Sequence, residues 1–235
     1  MSSDLINEQY NSAWGDMKLG KLWVSTKDLL ENGKQPLLPA ESFYSNWNNT
    51  VKDLSIMASK ILKYLKFKSF YVLRVNFSES IESPGEFMIN NGKAKITINE
   101  KYKNNSSACA AILAHEICHF VLAIRDTTEN NIYENERLTD FATVYFGLGV
   151  LVLNGKHIFY KTNAFSFIES LLGFLALIFA GVGFISDPRH KVESSFGYWG
   201  EKEYYNIFLG YIVRNNLNLD KISNYIKAES KNPSV

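Results

Sequence analysis

The sequence predicts an α+β fold that is mostly helical, with a small antiparallel sheet packed on one apolar helix. Between residues 70 and 99, segments rich in β-forming residues flank an Asn-Gly pair, which favours a tight hairpin turn. A largely apolar stretch follows, and it is long enough for a buried helix. Apolar residues also recur at helical spacing before and after this region, so helices should form most of the fold.

Length and composition suit one domain. The chain has 235 residues, of which 46% are hydrophobic and 21% charged, as is ordinary for a globular protein. We expect an N-terminal extension over residues 1–40, a single domain over 41–225 and a tail over 226–235. Within that domain, residues 70–153 should hold the functional core and residues 154–225 a helical C-terminal part.

Charge and cysteine content limit the partners and the compartment. The net charge of +1 gives no field that would attract nucleic acid, so we expect no nucleic-acid partner. The two cysteines, Cys109 and Cys118, lie nine residues apart on one predicted helix and are too distant to form a disulfide. No secretory signal is recognisable at the N-terminus, so the cytoplasm is the expected location.

The N-terminal half of the domain is predicted as a helix followed by three strands. Apolar residues at helical spacing indicate one amphipathic helix over 41–66. Residues 70–77 form the first predicted strand, and 86–90 and 93–99 flank the turn at Asn91-Gly92. We expect the strand at 93–99 to lie at the edge of the sheet.

Two further helices should follow the sheet. Asn105 and the serines after it can cap a helix over 107–124. A polar connection then leads to a second helix over 136–152, which Asn154-Gly155 should end. Another helix is predicted over 201–214.

The chemical signal lies in the first of these helices, which carries the sequence His115-Glu116-Ile117-Cys118-His119. Residues four apart share one face of a helix, so both imidazoles can reach one metal ion. Zinc lowers the pKa of a bound water to about 7, and Glu116 is placed to act as the general base toward that water. Two core histidines on an apolar face are the alternative interpretation.

A catalytic zinc ion needs a third protein ligand. No histidine follows His119 until His157, but Glu136 and Asp140 are again four apart. We assign Glu136 as the third ligand and Asp140 as the carboxylate that orients a ligand histidine. Asp140 as the ligand itself, with Glu136 outside the site, is the competing assignment, and Glu134 is a weaker candidate.

The pattern of these residues, H-E-x-x-H followed by Asn135-Glu136-x-x-x-Asp140, resembles the gluzincin zinc metallopeptidases of the thermolysin type. The resemblance covers residues 70–153 and implies a zincin-like fold, in which the sheet packs on the helix of His115. It also implies one zinc ion per chain, bound by His115, His119 and Glu136. The run over 139–149 is similar to that of small bacterial zincin-like proteins.

The predicted function is therefore zinc-dependent hydrolysis of a peptide or protein substrate. No residue matches the group that larger family members use to stabilise the oxyanion, although four side chains are candidates: His157, His190, Tyr198 and Tyr204. A zincin-fold module that binds zinc without cutting is the alternative function. Cys118 is expected to be a small buried side chain, with a thiol ligand or redox switch as the alternative.

The apolar stretch over 164–186 has two open interpretations. Its length lies at the lower limit for a membrane-spanning helix, and basic residues flank both of its ends. It is either a buried core helix or a membrane anchor that would leave the zinc site in the cytosol. In the second case, an integral membrane protein with a degenerate motif and no metal is a further alternative.

Overall fold

The computed structural model describes residues 37–69, residues 72–159 (the backbone only from 156) and scattered residues between 204 and 225. The predicted extension up to residue 36, the apolar stretch 164–186 and the tail 226–235 lie outside the described residues. The fold is α+β, and its elements follow one another in this order: α1 (Glu41–Tyr44), α2 (Val51–Tyr64), β1 (Val72–Ser78), β2 (Gly85–Asn90), β3 (Lys93–Asn99), a 3₁₀ turn (Glu100–Tyr102), α3 (Ser106–Ile124), α4 (Ile132–Tyr145) and α5 (Gly149–Phe159).

The helix predicted over 41–66 is in fact two helices, α1 and α2. Asn46 and Asn49 between them adopt left-handed backbone conformations, with φ of 65° and 53°. Thr50 then caps α2, because its hydroxyl accepts the Asp53 backbone N–H while the Asp53 carboxylate accepts the Thr50 N–H. Asparagine tolerates the left-handed region and a capping box starts a new helix, so local polar groups interrupt the apolar periodicity.

The three strands form a mixed sheet, and the prediction of an antiparallel sheet was wrong. The strand order is β1-β3-β2, with β3 antiparallel to β2 and parallel to β1. The hairpin between β2 and β3 is confirmed, with Asn91 and Gly92 at its turn. The connection over 79–84 leads from β1 at one edge of the sheet to β2 at the other. The central position is filled by β3, so β1 pairs with β3 and not with β2, its neighbour in sequence.

The predicted edge strand, 93–99, is the central strand of the sheet. Its inward-facing residues Ala94, Ile96 and Ile98 are completely buried. Among the strands that the structure describes, the edges are β1 and β2, and β2 lies against α3 together with β3. β2 is thus the edge strand that flanks the helix of the H-E-x-x-H motif.

Helix α3 is the centre of the core. It spans the predicted segment, and every residue from 108 to 122 is buried. It packs against α2, the sheet, α4 and α5. Phe120, for example, contacts the rings of both Phe67 and Phe87. Such close packing fixes the direction of each side chain that α3 projects.

The helix predicted over 136–152 is also divided. α4 begins earlier, at Ile132, and ends at Tyr145, where Gly147 has φ 78°. The backbone N–H of Leu148 bonds to Thr143 O and that of Gly147 to Val144 O, which is the Schellman ending of a helix. α5 then runs through Asn154, which is buried, instead of ending there.

Among the described residues, α3 is long and apolar enough to cross a membrane, and α4 with α5 would qualify only as a span bent by 116°. In α3, 83% of the most apolar window is buried within the protein. Core helices and membrane spans share this composition, so the finding favours neither location.

Candidate metal centre

Helix α3 presents the two histidines of the motif on one face. The rings of His115 and His119 have centroids 4.8 Å apart, and their Nε2 atoms lie 3.1 Å from each other. The helix is capped by Asn105, whose side chain accepts the Ala108 backbone N–H at 3.0 Å. Both rings are held by a buried helix and point their Nε2 atoms toward one place.

Helix α4 brings Glu136 to the same place. Its Oε2 lies 3.1 Å from His115 Nε2 and its Oε1 lies 3.1 Å from His119 Nε2. Within the described residues, His115, His119 and Glu136 form the group whose ligand atoms all lie within 4.8 Å of one another. The sequence-predicted ligand set is therefore brought together, although its members are far apart in the sequence. Asn135, the residue before Glu136, comes 16 positions after His119.

Asp140 lies one helical turn beyond Glu136 and is completely buried. Its Oδ1 is 3.0 Å from Nδ1 of His115, on the side of the ring opposite the cluster. The sequence assigns Asp140 to orienting a ligand histidine, and a carboxylate in this position can orient His115. Asp140 lies outside the group of ligand atoms, which argues against it as a ligand. Glu134 has a side chain that is 52% exposed, lies near Arg137 and is outside the cluster.

The residues present fit a zinc ion. Two imidazole nitrogens and a carboxylate oxygen form a donor set found in catalytic zinc sites. Ligand atoms at about 2.0–2.1 Å from a tetrahedral zinc ion lie about 3.3 Å apart, close to the observed 3.1 Å. The carboxylate beside His115 Nδ1 holds a proton on that nitrogen, so Nε2 is the nitrogen that would bind a metal ion.

Electrostatic effects within the cluster favour a positive charge. Burial alone would lower the pKa of His115, but hydrogen bonds to the carboxylates of Asp140 and Glu136 raise it to about 10. Burial raises the pKa of Glu136, but hydrogen bonds to both histidines more than offset this and hold the pKa well below its ordinary value. A cation between these atoms, either a proton or a metal ion, is therefore stabilised.

Glu116 is buried beside the cluster. Burial raises the pKa of its carboxyl group, although the nearby imidazoles of His115 and His119 act in the opposite direction. A Cβ atom added to Gly85 at the start of β2 would lie 2.8 Å from Glu116 Oε1 and 2.5 Å from Ile112 Cγ2. The start of β2 therefore lies against Glu116, and a side chain at position 85 would force β2 or its neighbours to move.

The sequence-based interpretation missed Thr139, Asn135 and Gly85. Thr139 Oγ1 lies 3.0 Å from His119 Nδ1, and Asn135 Nδ2 lies 3.5 Å from the same atom. Thr139 follows Glu136 by three residues, and this helical spacing could have indicated its position. No local pattern marks Gly85, because its contact with Glu116 depends on the packing of β2 on α3.

The remaining candidates do not join the cluster. Tyr204 is completely buried and its hydroxyl is hydrogen-bonded to Thr143, so no part of it is open to a substrate, as an oxyanion-stabilising group would need to be. Cys118 is a buried free thiol whose pKa is raised by burial, and it lies outside the group of ligand atoms. His190, Tyr198 and the side chain of His157 lie outside the described residues.

Comparison with models of known protein families, with curated proteins and with solved structures finds no match to this chain. What the residues themselves support is a candidate metal-binding triad of His115, His119 and Glu136 within a mixed α+β fold.

Proposed function

We propose that this protein is a zinc-dependent hydrolase of zincin-like fold that cleaves peptide bonds. The observation that carries the proposal is the convergence of His115, His119 and Glu136 on one point, with the buried carboxyl group of Glu116 beside them. A structural zinc site is closed by four protein ligands, whereas three ligands and an adjacent acid are typical of a catalytic site. The cytoplasm remains the expected location.

Solvent reaches the cluster from the side of Glu136. The side chain of Glu136 is 26% exposed, that of His119 11% and that of His115 4%. The exposed fraction of the side chain therefore increases from His115 through His119 to Glu136. This gradient supports a site that a substrate can enter from the Glu136 side.

Each residue has a distinct role in the proposed reaction. Bound zinc would supply Lewis acidity and a water of lowered pKa. Glu116 takes the proton from the attacking water and delivers it to the leaving amine. Its raised pKa suits this shuttle, because a base with a pKa closer to neutrality can both accept and return a proton. Asp140 holds His115 in place through Nδ1.

An extended peptide is the proposed substrate. β2 is an edge strand, and its first residue, Gly85, lies against Glu116. A peptide that pairs with the edge of β2 that no described strand occupies would run past the general base. The strand proposed to pair with a peptide is therefore 85–90, because 93–99 is the central strand of the sheet.

The substitution Glu116→Gln tests the proposed role of the general base. It preserves the size of the side chain but removes the proton acceptor, so we expect turnover of a cleaved peptide to fall by about 10²–10⁴-fold. Zinc content, measured on the same samples, should be unchanged because Glu116 is not a proposed ligand. Glu134→Gln serves as the matched control, and full activity in Glu116→Gln would refute the assignment.

A zinc-binding module without hydrolytic activity is the second candidate function. It is favoured by Tyr204, which is completely buried with its hydroxyl hydrogen-bonded to Thr143 and is therefore not open to a substrate. A diverse peptide library separates the two functions. Cleavage that depends on zinc supports the hydrolase, whereas a zinc-loaded protein that cleaves no peptide supports the module.

A further inference from the structure

The two histidines of the cluster are oriented by different chemical groups. Nδ1 of His115 faces the carboxylate of Asp140, whereas Nδ1 of His119 lies 3.0 Å from the hydroxyl of Thr139. We propose that Thr139 is a positioning residue that fixes the tautomer of His119 and so directs the lone pair of Nε2 into the cluster. The inference rests on the metal site of the proposed function, but it does not require hydrolysis.

The direction of the hydrogen bonds follows from the number of protons available. Thr139 Oγ1 lies 2.8 Å from the backbone carbonyl oxygen of Asn135 and donates to it. A threonine hydroxyl has one hydrogen, so toward His119 the same oxygen can only accept. His119 must then carry its proton on Nδ1. In the neutral imidazole, which is the form that would bind a metal ion, this leaves the lone pair on Nε2, the atom that faces His115 and Glu136.

Asn135 is the competing acceptor, but its amide group is turned the other way. Its Oδ1 accepts the backbone N–H of Glu129 at 3.0 Å. That bond directs Nδ2 toward His119 Nδ1, at a distance of 3.5 Å. Nδ2 of Asn135 and a protonated Nδ1 of His119 are both hydrogen-bond donors, so they do not bond to each other. The acceptor for the Nδ1 proton of His119 is therefore Thr139.

Burial makes this hydrogen bond difficult to replace. Thr139 is completely buried and His119 is 9% exposed. Without the hydroxyl, the Nδ1 proton would lose its acceptor in a region with little access to water, which is costly. The ring would then favour the other tautomer, with its proton on Nε2, and that tautomer cannot bind a metal ion through Nε2.

The substitution Thr139→Val removes the hydroxyl and keeps the shape of the side chain. We expect the dissociation constant for zinc to rise by about 10–100-fold, the usual effect of losing a group that orients a metal ligand. Thr139→Ser should restore affinity to within about threefold, because its hydroxyl can make the same bonds. Competition with a chromophoric chelator measures all of these constants.

Thr143→Val is the matched control. Thr143 is also buried on α4, but its hydroxyl bonds to Asp140 O and Tyr204 and not to a histidine of the cluster. The Thr143→Val variant should bind zinc as tightly as the wild type. Circular dichroism reports whether each variant folds. If Thr139→Val binds zinc with unchanged affinity, or if Asn135→Ala alone weakens binding, the role of Thr139 is refuted.

Nitrogen-15 NMR of the imidazoles in the zinc-free protein supplies a measurement that needs no metal. We expect Nδ1 of His119 to carry a proton in the wild type and to lose it in Thr139→Val. An unprotonated Nδ1 in the folded wild type would overturn the inference. If the wild type binds no zinc, the proposed function fails, while the protonation of Nδ1 still decides the role of Thr139.

Discussion

His115 is the residue whose surroundings most constrain the chemistry of the cluster. It contacts an acidic group at each ring nitrogen, Asp140 at Nδ1 and Glu136 at Nε2. Both carboxylates stabilise a protonated ring, which is why the pKa of His115 is raised to about 10. A metal ion at Nε2 must displace that proton, so metal binding and proton release are coupled.

This coupling predicts how zinc affinity depends on pH. Because the pKa of His115 in the zinc-free protein is about 10, the ring is protonated throughout the neutral range. Zinc binding should therefore release about one proton, and affinity should rise about tenfold per pH unit between pH 6 and 8. Calorimetry in buffers of different ionisation enthalpy measures the protons released.

Asp140→Asn tests whether the Asp140 carboxylate contributes to the proton release on zinc binding. The amide removes a charge that raises the pKa of His115, so fewer protons should be released per zinc ion at neutral pH. Zinc binding to the wild type without any release of protons would contradict the coupling between His115 and its two carboxylates.

Single residues also show where sequence reasoning succeeds and where it fails. The pairs His115 and His119, and Glu136 and Asp140, could be placed because a spacing of four on a helix fixes a common face. Thr139 could not be assigned a role, because its contribution depends on which groups accept and donate around His119. Such details arise only when two helices are packed together.

At the level of elements, β2 and α3 together define the surroundings of Glu116. Gly85 permits the backbone of β2 to lie against the carboxyl group. The hairpin that continues into β3 could be predicted from Asn91-Gly92. The parallel pairing of β1 with β3 could not, because pairing between distant strands leaves no local pattern in the sequence.

Gly85→Ala tests the importance of this contact. The added Cβ would lie too close to Ile112 and Glu116, so either β2 or the carboxyl group must move. We expect at least about a tenfold loss of peptide hydrolysis and a cost of about 1–3 kcal/mol in the free energy of unfolding. Zinc content should not change, because the ligands lie on α3 and α4.

Gly92→Ala is the matched control, since Gly92 lies in the turn between β2 and β3, at the end of β2 opposite Gly85. An added Cβ there meets no atom within 4 Å, but φ is 73°, so the substitution strains the turn by about 1 kcal/mol. Stability should fall while the hydrolysis rate of the folded protein is unchanged. Equal rates for Gly85→Ala and wild type would show that close packing on Glu116 is not required.

At the level of the whole molecule, one buried helix organises both the core and the site. α3 contacts the sheet, α2, α4 and α5, so the direction of its histidines is set by the same packing that stabilises the fold. The break between α4 and α5 was not predicted, because the apolar pattern continues through Gly147. That break nevertheless leaves Glu136 and Asp140 on one straight helix facing α3.

The measurement that tests the central claim most directly is the metal content per chain, by elemental mass spectrometry, of the wild type, His119→Ala and Glu134→Ala. We expect about one zinc ion in the wild type and in Glu134→Ala, since the Glu134 side chain lies outside the cluster, and loss of zinc in His119→Ala. A folded wild type that contains no stoichiometric metal after growth and purification with zinc would contradict the claim that His115, His119 and Glu136 form a metal site.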